Sequence, residues 1–114
     1  MNNLEARRER FLKDSLQIRL GGLAANLARI SSTVKNSANL EVVKSLIEES
    51  KFFIEWTAAE AEAETCAKLV ELQIELALTE RRFEKDWQNE ENRLYVGEKA
   101  KVWSKQVLQN AGFI

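Results

Sequence analysis

The chain has no proline, no histidine, one cysteine and four glycines in 114 residues. Proline collects in loops and at strand edges, so its absence points to few loops and long helices. The glycines stand at Gly21, Gly22, Gly97 and Gly112, and no Asn-Gly or Asp-Gly pair offers a hairpin turn. All-β and alternating α/β folds are therefore not expected. Without histidine the chain lacks the commonest general base and the commonest metal ligand, and with them the Glu-x-x-His pattern of di-metal helical bundles. Phosphate-cradling glycine loops, nucleophile elbows and paired Cys-x-x-Cys are also missing. The expectation is a protein with no catalytic residue, no cofactor and no metal. Cys66 stands alone, so no disulfide can form within the chain, which suits a reducing, cytoplasmic setting. No apolar run reaches the roughly 18 residues of a membrane span, and Met1-Asn2-Asn3-Leu4-Glu5 does not read as a signal peptide.

What is present fits one folded domain over residues 1–114, with 45% hydrophobic and 31% charged residues. Net charge is −1, which exerts no global pull on nucleic acid or anionic lipid. Its distribution is uneven: residues 1–36 carry seven Lys/Arg against three Asp/Glu, and residues 37–79 carry three against nine. A basic segment followed by an acidic one suits two helices lying side by side.

Leu16, Leu20, Leu23, Leu27, Ile30 and Val34 recur at steps of three and four, which predicts a first helix over about residues 4–35. The apolar phase runs unbroken through Gly21 and Gly22, so a continuous or slightly bent helix is expected there, with a hinge as the alternative. Turn formers and caps at Lys35-Asn36-Ser37-Ala38-Asn39 mark a chain reversal. A second row follows through Val43, Ile47, Ser50, Ile54, Ala58, Ala61, Thr65, Leu69, Leu72 and Leu76. Its step is about 3.67 residues, the period of a nearly straight helix, so a long central helix over about residues 40–88 is predicted. Thr57-Ala58-Ala59-Glu60 has the form of a capping box, for which at most a kink is expected. A turn near Gln88-Asn89-Glu90-Glu91-Asn92, or else at Gly97, then leads to a C-terminal helix over about residues 93–111.

A helix over 40–88 would be roughly 70 Å long. Pairing the first helix against it matches residue i with about residue 75 − i, setting Gly21 and Gly22 opposite Phe52 to Trp56. The fold class predicted is thus all-α: an elongated antiparallel helical hairpin whose uncovered apolar strips call for a four-helix-type bundle on dimerisation.

The residues assigned to that dimer or partner interface are Phe52, Trp56, Val70, Ile74, Leu78, Phe83, Trp87, Tyr95 and Trp103, as off-row aliphatics and aromatic anchors. The function expected is a non-catalytic helical protein–protein interaction module: a homodimeric scaffold, adaptor or small regulator. The alternative is a helical bundle that binds a small molecule at the tryptophan cluster, or nucleic acid along a basic patch of Arg7, Arg8, Arg10, Lys13 and Arg19.

Overall fold

Ser15 is where the predicted first helix divides. Its backbone is extended, and its hydroxyl accepts from the Ile18 N–H at 3.2 Å, which satisfies one of the orphan donors of a new helix. In the computed structural model, which describes residues 3–114, helix α1 spans Asn3–Leu12 and α2 spans Leu16–Thr33. Continuity from 4 to 35 was the expectation; the interruption falls at Lys13-Asp14-Ser15, while α2 runs through Gly21 and Gly22 without a break. The reversal at 35–39 forms as expected, with Asn36 capping a short 3-10 turn at Ser37–Asn39.

The largest departure from expectation is in the central helix. Residues 40–88 form α3, Leu40–Thr57, and α4, Ala63–Trp87. Between them a 3-10 turn at Ala58–Glu60 leads into extended backbone at Ala61 and Glu62. The suspected capping box is not used: the Thr57 side chain caps nothing, and its hydroxyl has no hydrogen-bond partner. No local signal marks this break, since residues 58–62 contain neither glycine nor proline. Burial accounts for it. Interrupting a helix forfeits a few backbone hydrogen bonds, each worth about 1 kcal/mol net. Folding α4 back buries Leu69, Leu72, Leu76 and Phe83, and each large apolar side chain removed from water contributes roughly 1.5–3 kcal/mol.

The last helix, α5, spans Glu90–Asn110. It begins at the expected turn, with Asn89 accepting from the Asn92 N–H at 3.0 Å. Helix α2 packs against α5 and α3, and α4 closes the ring by packing against α3 and α5. The four-helix cross-section, which was expected to need a second copy, is therefore reached within one chain. The molecule measures 38 × 36 × 20 Å, so it is not the elongated hairpin foreseen. The fold class itself, an all-α helical bundle, stands: no strand occurs among the described residues. One core runs through it, from Leu20, Leu23, Leu27 and Ile30 of α2 to Val43, Ile47 and Ile54 of α3, Leu76 and Phe83 of α4, and Ala100 and Val107 of α5.

Polar contacts pin both ends of the bundle. At one end the Trp87 indole N–H donates to the Ser37 carbonyl at 2.9 Å, and Arg93 Nε donates to the Val34 carbonyl at 2.9 Å, tying the α4–α5 turn to the α2–α3 turn. At the other, buried Arg19 donates to both oxygens of Glu60, at 2.8 and 3.1 Å, and to the Asp14 carbonyl at 3.0 Å. One guanidinium thus joins both interruptions of the chain, with the fork geometry that suits a carboxylate. The hydrogen bond from Arg19, with a smaller contribution from its charge, holds the Glu60 carboxyl below its ordinary value of 4.5. A carboxyl depressed on folding contributes stability that is present above its unfolded pKa and is lost as pH falls through the folded one. Glu60→Gln is accordingly expected to show a shallower loss of thermal midpoint than the parent as pH is lowered from neutral to below 4.5, read by circular dichroism; parallel curves would remove this role from the pair.

The glycines find different uses from those foreseen. A Cβ on Gly21 would meet the Phe113 ring at 3.3 Å, so the hole in α2 is filled by an aromatic ring, but from the C-terminal segment and not from Phe52 to Trp56. Gly112, at φ +82°, makes this possible. It ends α5 in a left-handed turn where Gly112 N–H donates to the Gln109 carbonyl and Phe113 N–H to the Leu108 carbonyl, the helix-ending pair of bonds that favours glycine. Gly97 marks no turn. It lies inside α5, where that helix comes closest to Val34 and Ser31.

Candidate functional site

Seven of the nine residues expected at an interface fall into three groups, and the other two, Tyr95 and Trp103, stand apart on α5. Phe83 and Trp87 are buried in the chain's own core, their rings 5.2 Å apart, and Arg93 lies 5.6 Å over the Trp87 ring. Their apolar area is covered without a partner, because the break before α4 turns that face inward. The tryptophan cluster expected around them does not assemble: Tyr95 and Trp103 sit on α5 and share a different cation, the Lys99 ammonium, at 5.2 and 5.7 Å from their ring centres.

Phe52 and Trp56 form the second group. They stack at 5.5 Å on α3 and are half-buried. Helix α1 lies against this region, with Phe11 stacked on Phe53 at 4.2 Å and tilted against Trp56 at 5.7 Å. Arg7 of α1 pairs with Glu49 of α3, which also accepts from buried Asn26 at 2.7 Å. The interruption at Lys13-Asp14-Ser15 is what lets α1 swing across onto α3 instead of continuing α2.

Val70, Ile74 and Leu78 form the third group, a row of apolar side chains at every fourth residue on open surface. They are 49%, 55% and 48% exposed. Successive residues turn by about 100° in a helix, so a row at every fourth residue stays on one side of α4. The core row of Leu69, Leu72, Leu76 and Phe83 occupies the opposite side, with Ile74 about 160° round from Leu76. An amphipathic helix of a monomeric bundle carries polar residues there, and isolated apolar residues need no explanation, but a contiguous row does.

Charges around α4 divide in the same way. Those nearest α3 are paired, Glu80 with Lys51 at 2.7 Å and Glu84 with Lys44 at 2.9 Å. The hydrogen bond from Lys44 lowers the Glu84 carboxyl below its ordinary value of 4.5. Lys68, on the side nearest α5, reaches Asn110 at 3.4 Å and Glu64 at 3.7 Å. On the outward side, Glu71 precedes Ile74, the midpoint of the apolar row, and Arg81, Arg82 and Lys85 follow the row, while Glu75 is turned about 100° from Ile74 toward the α5 side. All five are exposed, and none has a salt bridge or side-chain hydrogen bond among the described residues.

The basic patch comes apart on folding. Arg19 is buried on Glu60 and Arg7 is paired with Glu49, which leaves Arg8, Arg10 and Lys13 exposed. Pairing between the basic and acidic segments is thus realised at these two contacts, while Glu64, Glu71 and Glu75 lie on α4, away from α1. A cleft of about 360 Å³ separates α4 from α5, walled by Leu72, Glu75, Trp103 and Gln106. Among the described residues no group of three or more acidic or cysteine side chains is placed to hold a metal ion, and no described helix is long and apolar enough to cross a membrane.

Spacing alone marked Val70, Ile74 and Leu78 as off the core row. The placing of Glu71 against Arg81, Arg82 and Lys85 was missed because charge was summed over segments and not sorted by helix face; the wheel of α4, once its inward side is known, sets these four outward, and their places along the helix separate acid from base. Fold and surface together define a small all-helical protein, with five α-helices among the described residues, whose most distinctive feature is the outer face of α4. Comparison with protein-family models, with curated proteins and with solved structures returns no match to this chain.

Proposed function

We propose that the protein is a non-catalytic helical interaction module that works as a homodimer, with the outer face of α4 as the contact surface. The observation that carries this reading is the row of Val70, Ile74 and Leu78, each about half exposed on a helix whose opposite side already fills the core. The original motive for a second copy, an uncovered central helix, no longer applies, since the chain covers its own core. What remains is smaller and more specific: three aliphatic side chains in line, rimmed by unpaired charges, the pattern of an apolar centre with a polar rim that association surfaces share. Such a module acts by presenting rigid helices and not by chemistry, in keeping with a chain that has no histidine and a single, partly buried cysteine.

Light scattering on the full chain tests it. A mass twice the 13.1 kDa of one chain, falling toward the monomer on dilution, is expected for the parent. Ile74→Asp is expected to be monomeric with unchanged helicity, because a carboxylate replaces apolar surface at the centre of the contact while the core row is untouched. A parent that is monomeric throughout the dilution series overturns the proposal, as does an Ile74→Asp variant that dimerises as well as the parent.

A further inference from the structure

We infer that two copies pair through α4 in antiparallel orientation about a twofold axis level with Leu76, with Glu71 of each copy set against the partner's Arg82. The inference rests on the homodimer reading above and adds to it the direction, the register and the groups that enforce them.

The outer face of α4 is apolar along its middle, acidic in its N-terminal half at Glu71, and basic toward its C-terminal half at Arg81, Arg82 and Lys85. A parallel pair would place acid beside acid and base beside base. An antiparallel pair places each acidic half against a basic half, so the face is complementary to itself under a twofold axis, the symmetry that most homodimers adopt.

Register follows from the spacing. With the axis level with residue 76, residue i lies level with residue 152 − i of the other copy. Ile74 then lies beside the partner's Leu78, and Leu78 beside the partner's Ile74, which joins the two apolar rows. Glu71 falls one residue, about 1.5 Å of helix rise, from the level of the partner's Arg82. Side matters as much as level, because a twofold axis lying between the helices brings like flanks together. Glu71 and Arg82 are eleven residues apart in sequence, which is close to three full turns, so they stand on the same flank of α4. Arg81, one residue earlier, is seven residues from Ile74, close to two full turns, so it stands in line with the apolar row and not on that flank. The register that joins the apolar rows is thus the one that joins Glu71 to Arg82, and it forms that pair twice.

That these charges are free for the purpose is shown by their neighbours. Glu80 and Glu84, one helical face away, are each held by a lysine of α3, whereas Glu71 and Arg82 are exposed and make no salt bridge or side-chain hydrogen bond among the described residues. Both are surface positions on a long helix, so reversing their charge leaves the core row intact.

Sedimentation of the full chain, with circular dichroism to confirm equal helicity, tests the inference by a charge-swap cycle. Glu71→Arg alone and Arg82→Glu alone each set two like-charged pairs across the axis and are expected to weaken the dimer roughly tenfold or more at low salt. The double variant Glu71→Arg/Arg82→Glu restores opposite charges and is expected to return to within about threefold of the parent. A parent dimer that is indifferent to the single reversals, or a double variant that stays as weak as the singles, overturns the antiparallel register while leaving the dimer in place. A parent that is monomeric at every concentration overturns the dimer reading, and this inference with it.

Discussion

Gly97→Ala is expected to lower the stability of the protein by about 1–2 kcal/mol, although alanine is the better helix former by about 1 kcal/mol. The new methyl would stand 2.5 Å from Val34 Cγ2 and 3.1 Å from the Ser31 carbonyl oxygen. Valine is stiff at χ1 and Val34 is itself buried, so neither neighbour can yield and α5 must move off α2. That contact is the most extensive between helices in the molecule, and the displacement is transmitted along it. Gly22→Ala is the matched control. Its methyl meets nothing within 4 Å, and the gain in helix propensity should stabilise by roughly 0.5–1 kcal/mol. Urea unfolding followed by circular dichroism reads both: midpoints moving in opposite directions support the close approach, and a stabilised Gly97→Ala would refute it. Adding Val34→Ala to Gly97→Ala should cost less than the two changes summed, since they share one contact.

Leu76→Ala carries the larger effect. Leu76 is 0% exposed at the centre of the core, and emptying such a site typically costs about 2–5 kcal/mol, the spread reflecting how far the surroundings relax. Two residues on, Leu78 is 48% exposed, and Leu78→Ala is expected to change the stability of the isolated chain by no more than about 0.5 kcal/mol while weakening self-association. Denaturation at low protein concentration and light scattering at high concentration separate these outcomes. If Leu78→Ala unfolds the chain as Leu76→Ala does, the outer row belongs to the core and the contact surface assigned to α4 is wrong.

The two leucines show how much was legible beforehand. Their separation onto opposite sides of one helix follows from a period of 3.6 residues, and the row through Leu69, Leu72 and Leu76 was visible as the inward one. The reversal at residues 35–39 and the turn near 88–92 were legible as well, because Asn36 and Asn89 are local caps that need no tertiary context. Ser15 was equally local, an N-cap ahead of the leucine row, and was passed over because the apolar residues on either side suggested one helix.

The break at residues 58–62 was of another kind. The apolar row runs on through Ala58 and Ala61, both small enough to sit in a helix or a turn, and nothing local distinguishes the two. The choice is made by what each geometry buries. A straight helix would have been too long for the chain's other helices to cover fully, and a hairpin at that point lets one chain close a four-helix ring. The candidate surface depended on the same choice: with α4 folded back, Phe83 and Trp87 turned inward, and the unpaired remainder shrank to Val70, Ile74 and Leu78.

An all-helical chain without proline, with two rows of apolar residues and asparagine caps at two reversals, was determined by the sequence alone, because helix period, capping and the absence of strand and turn formers are properties of neighbouring residues. Where the long apolar row would fold, which glycine admits a neighbouring helix, and which ring fills the hole at Gly21 were decided only by tertiary structure. These depend on close packing between segments far apart in the chain, and burial summed over many side chains there outweighs the small local preferences of alanines and glutamates.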